Sequence, residues 1–90
     1  MVLTGVNAVQ AVNMIGSSVR FHRRKASLTQ AELARMAGVG KASVFDVEKG
    51  KKTVQLDTLL KIFSVLNIEL DIKSPLMAQF LESKDAHDVK

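Results

Sequence analysis

Hydrophobic residues recur at helical spacing along most of this chain, and the pattern changes to strict alternation near residue 70. In the N-terminal part Val12, Ile15 and Val19 follow one another at steps of three or four residues. That period places them on one face of a helix. Three later stretches have the same period. The four helices are predicted over Val9–Lys25, Gln30–Ala37, Lys41–Lys49 and Leu56–Leu66.

The second and third helices have clear boundary signals. Thr29 and Glu32 have the spacing of a capping box, in which each side chain accepts a hydrogen bond from the other residue's free amide. Gly38 is placed to end the second helix in the left-handed conformation that glycine favours. The third helix begins after Gly40 and ends before Gly50. Two short helices joined by a glycine-bearing turn predict a helix-turn-helix.

The fourth helix carries an apolar stripe that we interpret as core packing against the first three helices. The stripe consists of Leu56, Leu59, Leu60, Phe63 and Leu66.

Residues 68–73 alternate strictly between apolar and charged side chains, which predicts a short β-strand. A lone strand leaves backbone groups unpaired on both edges. A two-fold axis would remove this problem, because the same strand of a second protomer can pair with it antiparallel. We therefore expect a homodimer in which Ile68, Leu70 and Ile72 cover a joint core.

A short last helix is predicted to open at Ser74-Pro75, with proline at its first position. Its apolar side consists of Leu76, Met77, Phe80 and Leu81. This side either packs on its own domain or anchors a partner protein. From Ser83 onward we expect a disordered polar tail. The chain thus divides into an uncharged segment leading into the first helix (1–14), a helix-turn-helix and dimerisation domain (15–73) and a C-terminal helix with its tail (74–90).

Composition limits the possible functions. With 90 residues, of which 47% are hydrophobic, the chain has room for one small domain with a core. It has no Cys and only two His residues, so we expect no metal site. No glycine-rich phosphate loop or set of catalytic carboxylates is evident. We expect neither an enzyme nor a cofactor.

Positive charge is concentrated around the predicted helix-turn-helix. Residues 1–18 carry no charge, residues 19–52 hold nine Lys and Arg against three Asp and Glu, and residues 53–90 hold four against six. Such a footprint is typical of a phosphate-binding surface. Single-stranded RNA is a less supported ligand, because the aromatic residues that stack on unpaired bases are missing. The uncharged start lacks the features of a signal peptide or a membrane span, so we expect a cytoplasmic protein.

The stretch from Ile15 to about Ile72 resembles the lambda-repressor-like, XRE-type DNA-binding family through "LTQAELA…GV…S…E.GK". The continuation "GKKTVQLDTLLKIFSVLNIELDI" resembles HipB-like antitoxins. This resemblance implies an all-α domain of four to five helices and a dimer joined by a shared strand pair. It further implies a repressor that binds a palindromic operator in its own promoter, and is thereby nucleoid-associated, with a HipA-like kinase toxin as its partner.

The resemblance also assigns roles to individual residues. The side chains expected to face base edges are Lys41, Ala42, Phe45 and Asp46. The positions expected to contact phosphates are Gln30, Gly40, Ser43, Lys49, Lys51 and Lys52. Gln30 is also expected to brace the third helix. Phe45 can equally well fold back onto the protein, and Asp46 can instead pair with a neighbouring Lys. Arg23 and Glu48 correspond to an ion pair that joins the first helix to the third. Gly40 departs from the family pattern, which has a Ser or Thr cap there.

Two other functions remain open at this point. The protein can be an interaction module that mainly sequesters a toxin or another partner, with DNA binding secondary. It can also be a stand-alone XRE-type repressor without a toxin.

Overall fold

The computed structural model describes Gly5 and residues 7–87, and in that part of the chain five α-helices occur without a β-strand. The helices are α1 (Ala8–Lys25), α2 (Gln30–Ala37), α3 (Lys41–Glu48), α4 (Leu56–Leu66) and α5 (Met77–Glu82), followed by a 3₁₀ turn at Lys84–Ala86. The predicted all-α fold is confirmed. The bounds of α1 to α4 agree with the prediction to within one residue.

Both α1 and α2 begin with reciprocal capping boxes. In the predicted box, Thr29 Oγ1 accepts from the Glu32 amide at 3.0 Å and the Glu32 carboxylate accepts from the Thr29 amide at 2.9 Å. The equivalent bonds at α1 join Asn7 and Gln10, at 2.9 and 3.1 Å. This second box was not predicted, and it starts α1 one residue before Val9.

α1 packs against α3 at Gly16, which is buried. A Cβ at this position would collide with the carbonyl oxygen of Val47 and lie 3.2 Å from that of Glu48. A glycine is therefore required here by packing, although it weakens a helix interior on propensity alone. At the end of α2, Gly38 has the expected left-handed conformation, with φ of 71°.

The core lies where the first four helices meet, and each of them contributes one fully inaccessible side chain: Val19, Leu33, Val44 and Ile62. The α4 stripe is only partly in this core. Phe63 and Leu66 are buried, but Leu56 and Leu60 are 65% and 42% exposed, so their predicted core position is wrong. Leu56 is the first residue of α4, and Leu60, one turn later, lies on the flank away from Ile62 and Leu66.

After α4 the chain turns through Asn67, which has φ of 57°, and the Ile68 amide donates to the Phe63 carbonyl at 2.9 Å. Residues 68–74 have no regular secondary structure in this single chain. Ile68 packs against the core, whereas Leu70 and Ile72 are exposed. A strand needs a hydrogen-bonded neighbour and the expected neighbour is a second protomer, so the strand and the dimer stay predictions.

The C-terminal part departs from the prediction at two points. α5 begins at Met77 and not at Pro75, because a turn in which the Met77 amide donates to the Ser74 carbonyl (3.2 Å) precedes it. The tail predicted to be disordered from Ser83 forms a 3₁₀ turn over Lys84–Ala86. α5 packs on that turn and makes no extensive contact with α1–α4 in the described chain. Residues 1–4 and 6 of the predicted N-terminal segment and residues 88–90 of the tail lie outside the described part.

Candidate nucleic-acid interface

A nearly buried ion pair fixes α3 to α1. Arg23 donates from Nε to Glu48 Oε2 at 2.7 Å and from Nη2 to Glu48 Oε1 at 2.9 Å, and the two side chains are only 12% and 5% exposed. A third bond runs from Arg23 Nη1 to the Leu28 carbonyl at 2.9 Å. The hydrogen bond to Glu48 raises the pKa of Arg23 above its ordinary value, against the opposing effect of burial. Arginine is always charged in proteins, so the two charge-assisted hydrogen bonds to Glu48 fix α3 against α1.

Gln30, the first residue of α2, supports the same pair. Its Nε2 donates to Glu48 Oε1 at 3.3 Å, so one carboxylate connects α1, α2 and α3. The resemblance assigned Gln30 two roles, a phosphate contact and a brace for α3. The hydrogen bond to Glu48 accounts for the brace. The Gln30 side chain is only half-buried, so part of it remains accessible at the start of α2.

α3 has one buried face and one open face. Val44 and Val47 are buried against the other helices. On the opposite side Lys41, Ala42 and Phe45 are exposed, at positions that share one face of the helix. The open face is therefore available to a ligand, and it combines a cation, a methyl group and an aromatic ring.

Phe45 belongs to this open surface and not to the core. Its side chain is 46% exposed, and the Nζ atom of Lys49 lies 5.4 Å from the ring centroid, within range of a cation–π contact. Of the two positions that the sequence left open for Phe45, the structure has the surface one.

Asp46 forms the ion pair that the sequence left open as its alternative. Lys51 Nζ lies 3.4 Å from Asp46 Oδ2, and the two side chains are 56% and 34% exposed. An exposed pair of this kind contributes about 0–1 kcal/mol. Asp46 and Ser43 lie with Lys51, Thr53 and Gln55 along a polar groove between α3 and the start of α4.

The start of α3 has free amides but no side-chain cap. Gly40 is the N-cap residue, and no side chain accepts a hydrogen bond from the first turn. α3 therefore lacks the Ser or Thr cap of the family pattern, as the sequence indicates. The Gly40 position leaves the first turn of α3 open toward an anion, which helix N-termini attract. Lys51 and Lys52 follow in the exposed loop after α3.

Arg20 is a candidate that the sequence analysis did not place in the site. It lines a cleft with Gln30, Phe45 and Lys49, beside the ion pair of Arg23 and Glu48. The signal was its spacing, because Arg20 and Arg23 are three residues apart and share a face of α1.

Within the residues that the structure describes, no helix is long and apolar enough to cross a membrane. In the same residues no three His, Asp or Glu side chains gather as metal ligands. The chemistry available on the open side of α3 is hydrogen bonding, charge and apolar contact.

Residues 19–73 match the Helix-turn-helix family, and that span begins within α1 and extends past α4. The chain is also 41% identical over 61 residues to the uncharacterized HTH-type transcriptional regulator y4mF of Sinorhizobium fredii (strain NBRC 101917 / NGR234), covering 68% of this chain and 80% of that protein. The chain therefore belongs to the helix-turn-helix family and is a DNA-binding regulator of that class. The resemblance to the XRE-type family is confirmed, and the closer resemblance to HipB-like antitoxins stays a prediction.

Proposed function

We propose that this protein is a sequence-specific repressor that binds its own promoter as a homodimer and serves as the antitoxin of a HipBA-like operon. The observation that carries the DNA-binding part is the open face of α3, held in place by Arg23 and Glu48 and bordered by cations. In a dimer, the two copies of α3 enter successive major grooves about 34 Å apart.

The open face of α3 offers a distinct chemistry to each base edge. Lys41 can donate to guanine O6 and N7, and Ala42 can contact a thymine methyl. Phe45 offers a second apolar contact. Asp46 can accept from cytosine N4 once Lys51 turns from it to a phosphate, an exchange that costs little because the Asp46–Lys51 pair is exposed.

The positions around α3 suit phosphate contacts that fix the register of the protein on DNA. At the helix starts, Gln30 opens α2 and Gly40 precedes the free amides of α3, with Ser43 in its first turn. Beyond α3, Lys49, Lys51 and Lys52 are exposed cations. Phosphate contacts of this type weaken as the salt concentration rises, and they add affinity without sequence preference.

The proposed dimer rests on the apolar residues of the 68–72 segment. Leu70 is 46% and Ile72 is 67% exposed, while Ile68 of the same alternating face packs on the core. An antiparallel pair of these segments would cover both exposed side chains and satisfy their backbone groups. The unpaired segment of a single chain does neither.

The proposed toxin contact rests on α5. Leu76, Phe80 and Leu81 are 67%, 44% and 58% exposed, with Met77 half-buried beside them. Because α5 makes no extensive contact with α1–α4 in the described chain, its apolar side is available as an anchor for a HipA-like kinase toxin. The same exposure favours the second candidate, an interaction module that mainly sequesters a toxin or another partner. A stand-alone repressor would leave this surface without a role.

Titration of the protein against a duplex from its own promoter, beside a scrambled duplex and at several salt concentrations, tests the repressor. We expect preference for the promoter, and a loss of about 5- to 150-fold in that preference for Lys41→Ala. Lys84→Ala removes the same charge from the exposed 3₁₀ turn and serves as the control. Equal, steeply salt-dependent binding to both duplexes would instead mean that the cations only coat phosphate, and the interaction module would become the better proposal.

Sedimentation equilibrium tests the dimer with a pair of double variants in one segment. Leu70→Ser with Ile72→Ser changes the apolar face and should give a monomer. Glu69→Ser with Asp71→Ser changes the alternate positions and should leave the dimer intact. The same oligomeric state for both variants would contradict the shared strand pair.

Deletion of residues 74–90 tests the anchor. We expect loss of binding to the HipA-like kinase of the proposed operon, measured by size-exclusion chromatography, with promoter binding retained. Retained kinase binding with loss of promoter binding would reject α5 as the anchor.

A further inference from the structure

The outer side of α1 carries a second basic surface next to α3. Arg20, Phe21, Arg24 and Lys25 are exposed and line a shallow groove with Ser17, which we call the α1 groove. None of its lining residues is a carboxylate, so nothing within the groove neutralises its three cations.

The α1 groove continues the surface of α3 through Arg20. This residue lines both the α1 groove and the cleft that contains Gln30, Phe45 and Lys49. The carboxylate in that cleft, Glu48, is already neutralised by Arg23. Positive charge therefore runs without interruption from Lys49 past Arg20 to the end of α1.

Compensation of the helix dipole explains only part of this charge. Cations in the last turn of a helix oppose its negative end, and the last turn of α1 contains Arg24 and Lys25. Arg20 lies before that turn, so its position has no such explanation. Phe21 is also 58% exposed, with Lys25 Nζ 5.6 Å from its ring centroid, a cation–π contact that holds the ammonium at the edge of the groove.

The length of the groove matches a DNA strand. At 1.5 Å per residue, Arg20 and Lys25 are about 7.5 Å apart along the α1 axis. Phosphates of one DNA strand advance by about 3.4 Å each along the duplex axis, so this length covers about two such steps. With α1 lying along the backbone, the groove therefore reaches about two phosphates beyond the one nearest Arg20.

We propose that the α1 groove binds the DNA backbone outside the base pairs that α3 reads, and so lengthens the contact of each protomer by about two phosphates. This inference rests on the proposed function, since it needs α3 on the same duplex. The groove would add affinity and salt dependence without adding sequence preference.

The test compares two double variants with the same change in net charge. Arg20→Gln with Arg24→Gln removes two cations of the α1 groove, and Lys61→Gln with Lys84→Gln removes two exposed cations elsewhere. The logarithm of the association constant for a promoter duplex is plotted against the logarithm of salt concentration. We expect the slope of the groove variant to be smaller in magnitude by about 1.8. Its affinity at low salt should fall on the order of tenfold to hundredfold. Its preference for the promoter should be unchanged. The control should remain close to wild type.

Duplex length gives an independent reading. Adding about half a helical turn of DNA on each side of the recognised base pairs should tighten binding by the wild type and by the control, but not by the groove variant. Equal slopes for the two variants, or an equal gain from the longer duplex, would overturn the proposal while leaving the role of α3 intact. Unchanged DNA binding with loss of kinase binding would assign the groove to an acidic protein partner and likewise overturn it. A wild-type protein that binds no duplex would overturn the proposed function itself.

Discussion

Removal of Arg23 or Glu48 is the most direct test of how α3 is held. Arg23→Met leaves a carboxylate that is 5% exposed with only the longer 3.3 Å hydrogen bond from Gln30. Glu48→Gln leaves a guanidinium that is 12% exposed without a counter-ion. Loss of one partner of a buried pair costs about 3–5 kcal/mol, because the remaining charge is desolvated and unpaired. That is a large part of the ~5–15 kcal/mol by which domains are stable.

The double variant Arg23→Met/Glu48→Gln removes both charges, so it should cost less than the two single changes added together. We expect a coupling free energy of about 2 kcal/mol, within the usual range for residues in direct contact. The measurement is urea unfolding of all four proteins, followed by circular dichroism.

Arg24→Met is the matched control, since it removes an exposed arginine from the next position of α1 and should change the free energy of unfolding by no more than about 0.5 kcal/mol. The reasoning would be refuted if the losses of unfolding free energy in the two single variants added up to the loss in the double variant. So would a Glu48→Gln cost equal to that of the control, since the pair would then contribute no more than an exposed one.

Three further predictions concern helix packing and ends. Gly16→Ala should lower stability by about 1–3 kcal/mol in thermal unfolding, because its Cβ meets the rigid backbone carbonyl of Val47. This cost exceeds the helix-propensity gain of about 1 kcal/mol. Ser17→Ala, at the next and exposed position, should not be destabilising. Gly40→Ser should stabilise the protein in urea by a few tenths of a kcal/mol, since φ of −74° and the open space around its Cβ accept a serine that can cap α3. Backbone and side-chain hydrogen bonds with Thr29 lower the pKa of Glu32 from 4.5, so its stabilisation is complete above that value and is lost as pH falls through the lowered pKa. The melting temperature of Glu32→Gln should therefore fall less than that of the wild type on acidification below pH 4.5.

Some features of the interface were predictable only through the resemblance. Arg23 and Glu48 are 25 positions apart, and no local pattern pairs residues at that separation. The resemblance supplied the pair because it covers the positions that α1 and α3 bring together. Arg20 precedes the family motif, which starts at Leu28, so its place beside Gln30 and Lys49 is evident only in the folded chain.

Local signals alone determined the helices and the position of the turn. Thr29, Glu32 and Gly38 act through hydrogen bonds and backbone conformation within a few residues, so their sequence is sufficient to place α2. The period of apolar residues likewise located α4, and the distribution of charge indicated a nucleic-acid ligand.

Tertiary structure decided which side of each helix is buried and which groups meet. A 3.6-residue period places Leu56 and Leu60 on the apolar side of α4, but in the folded chain Ile62 is buried and these two leucines are left exposed. On helix propensity alone Gly16 is unfavourable, and only the position of the α3 carbonyl groups explains why a glycine is needed there. The physical reason is the same in both cases: capping and helical periodicity act between neighbours in sequence, whereas burial and charge pairing depend on neighbours in space.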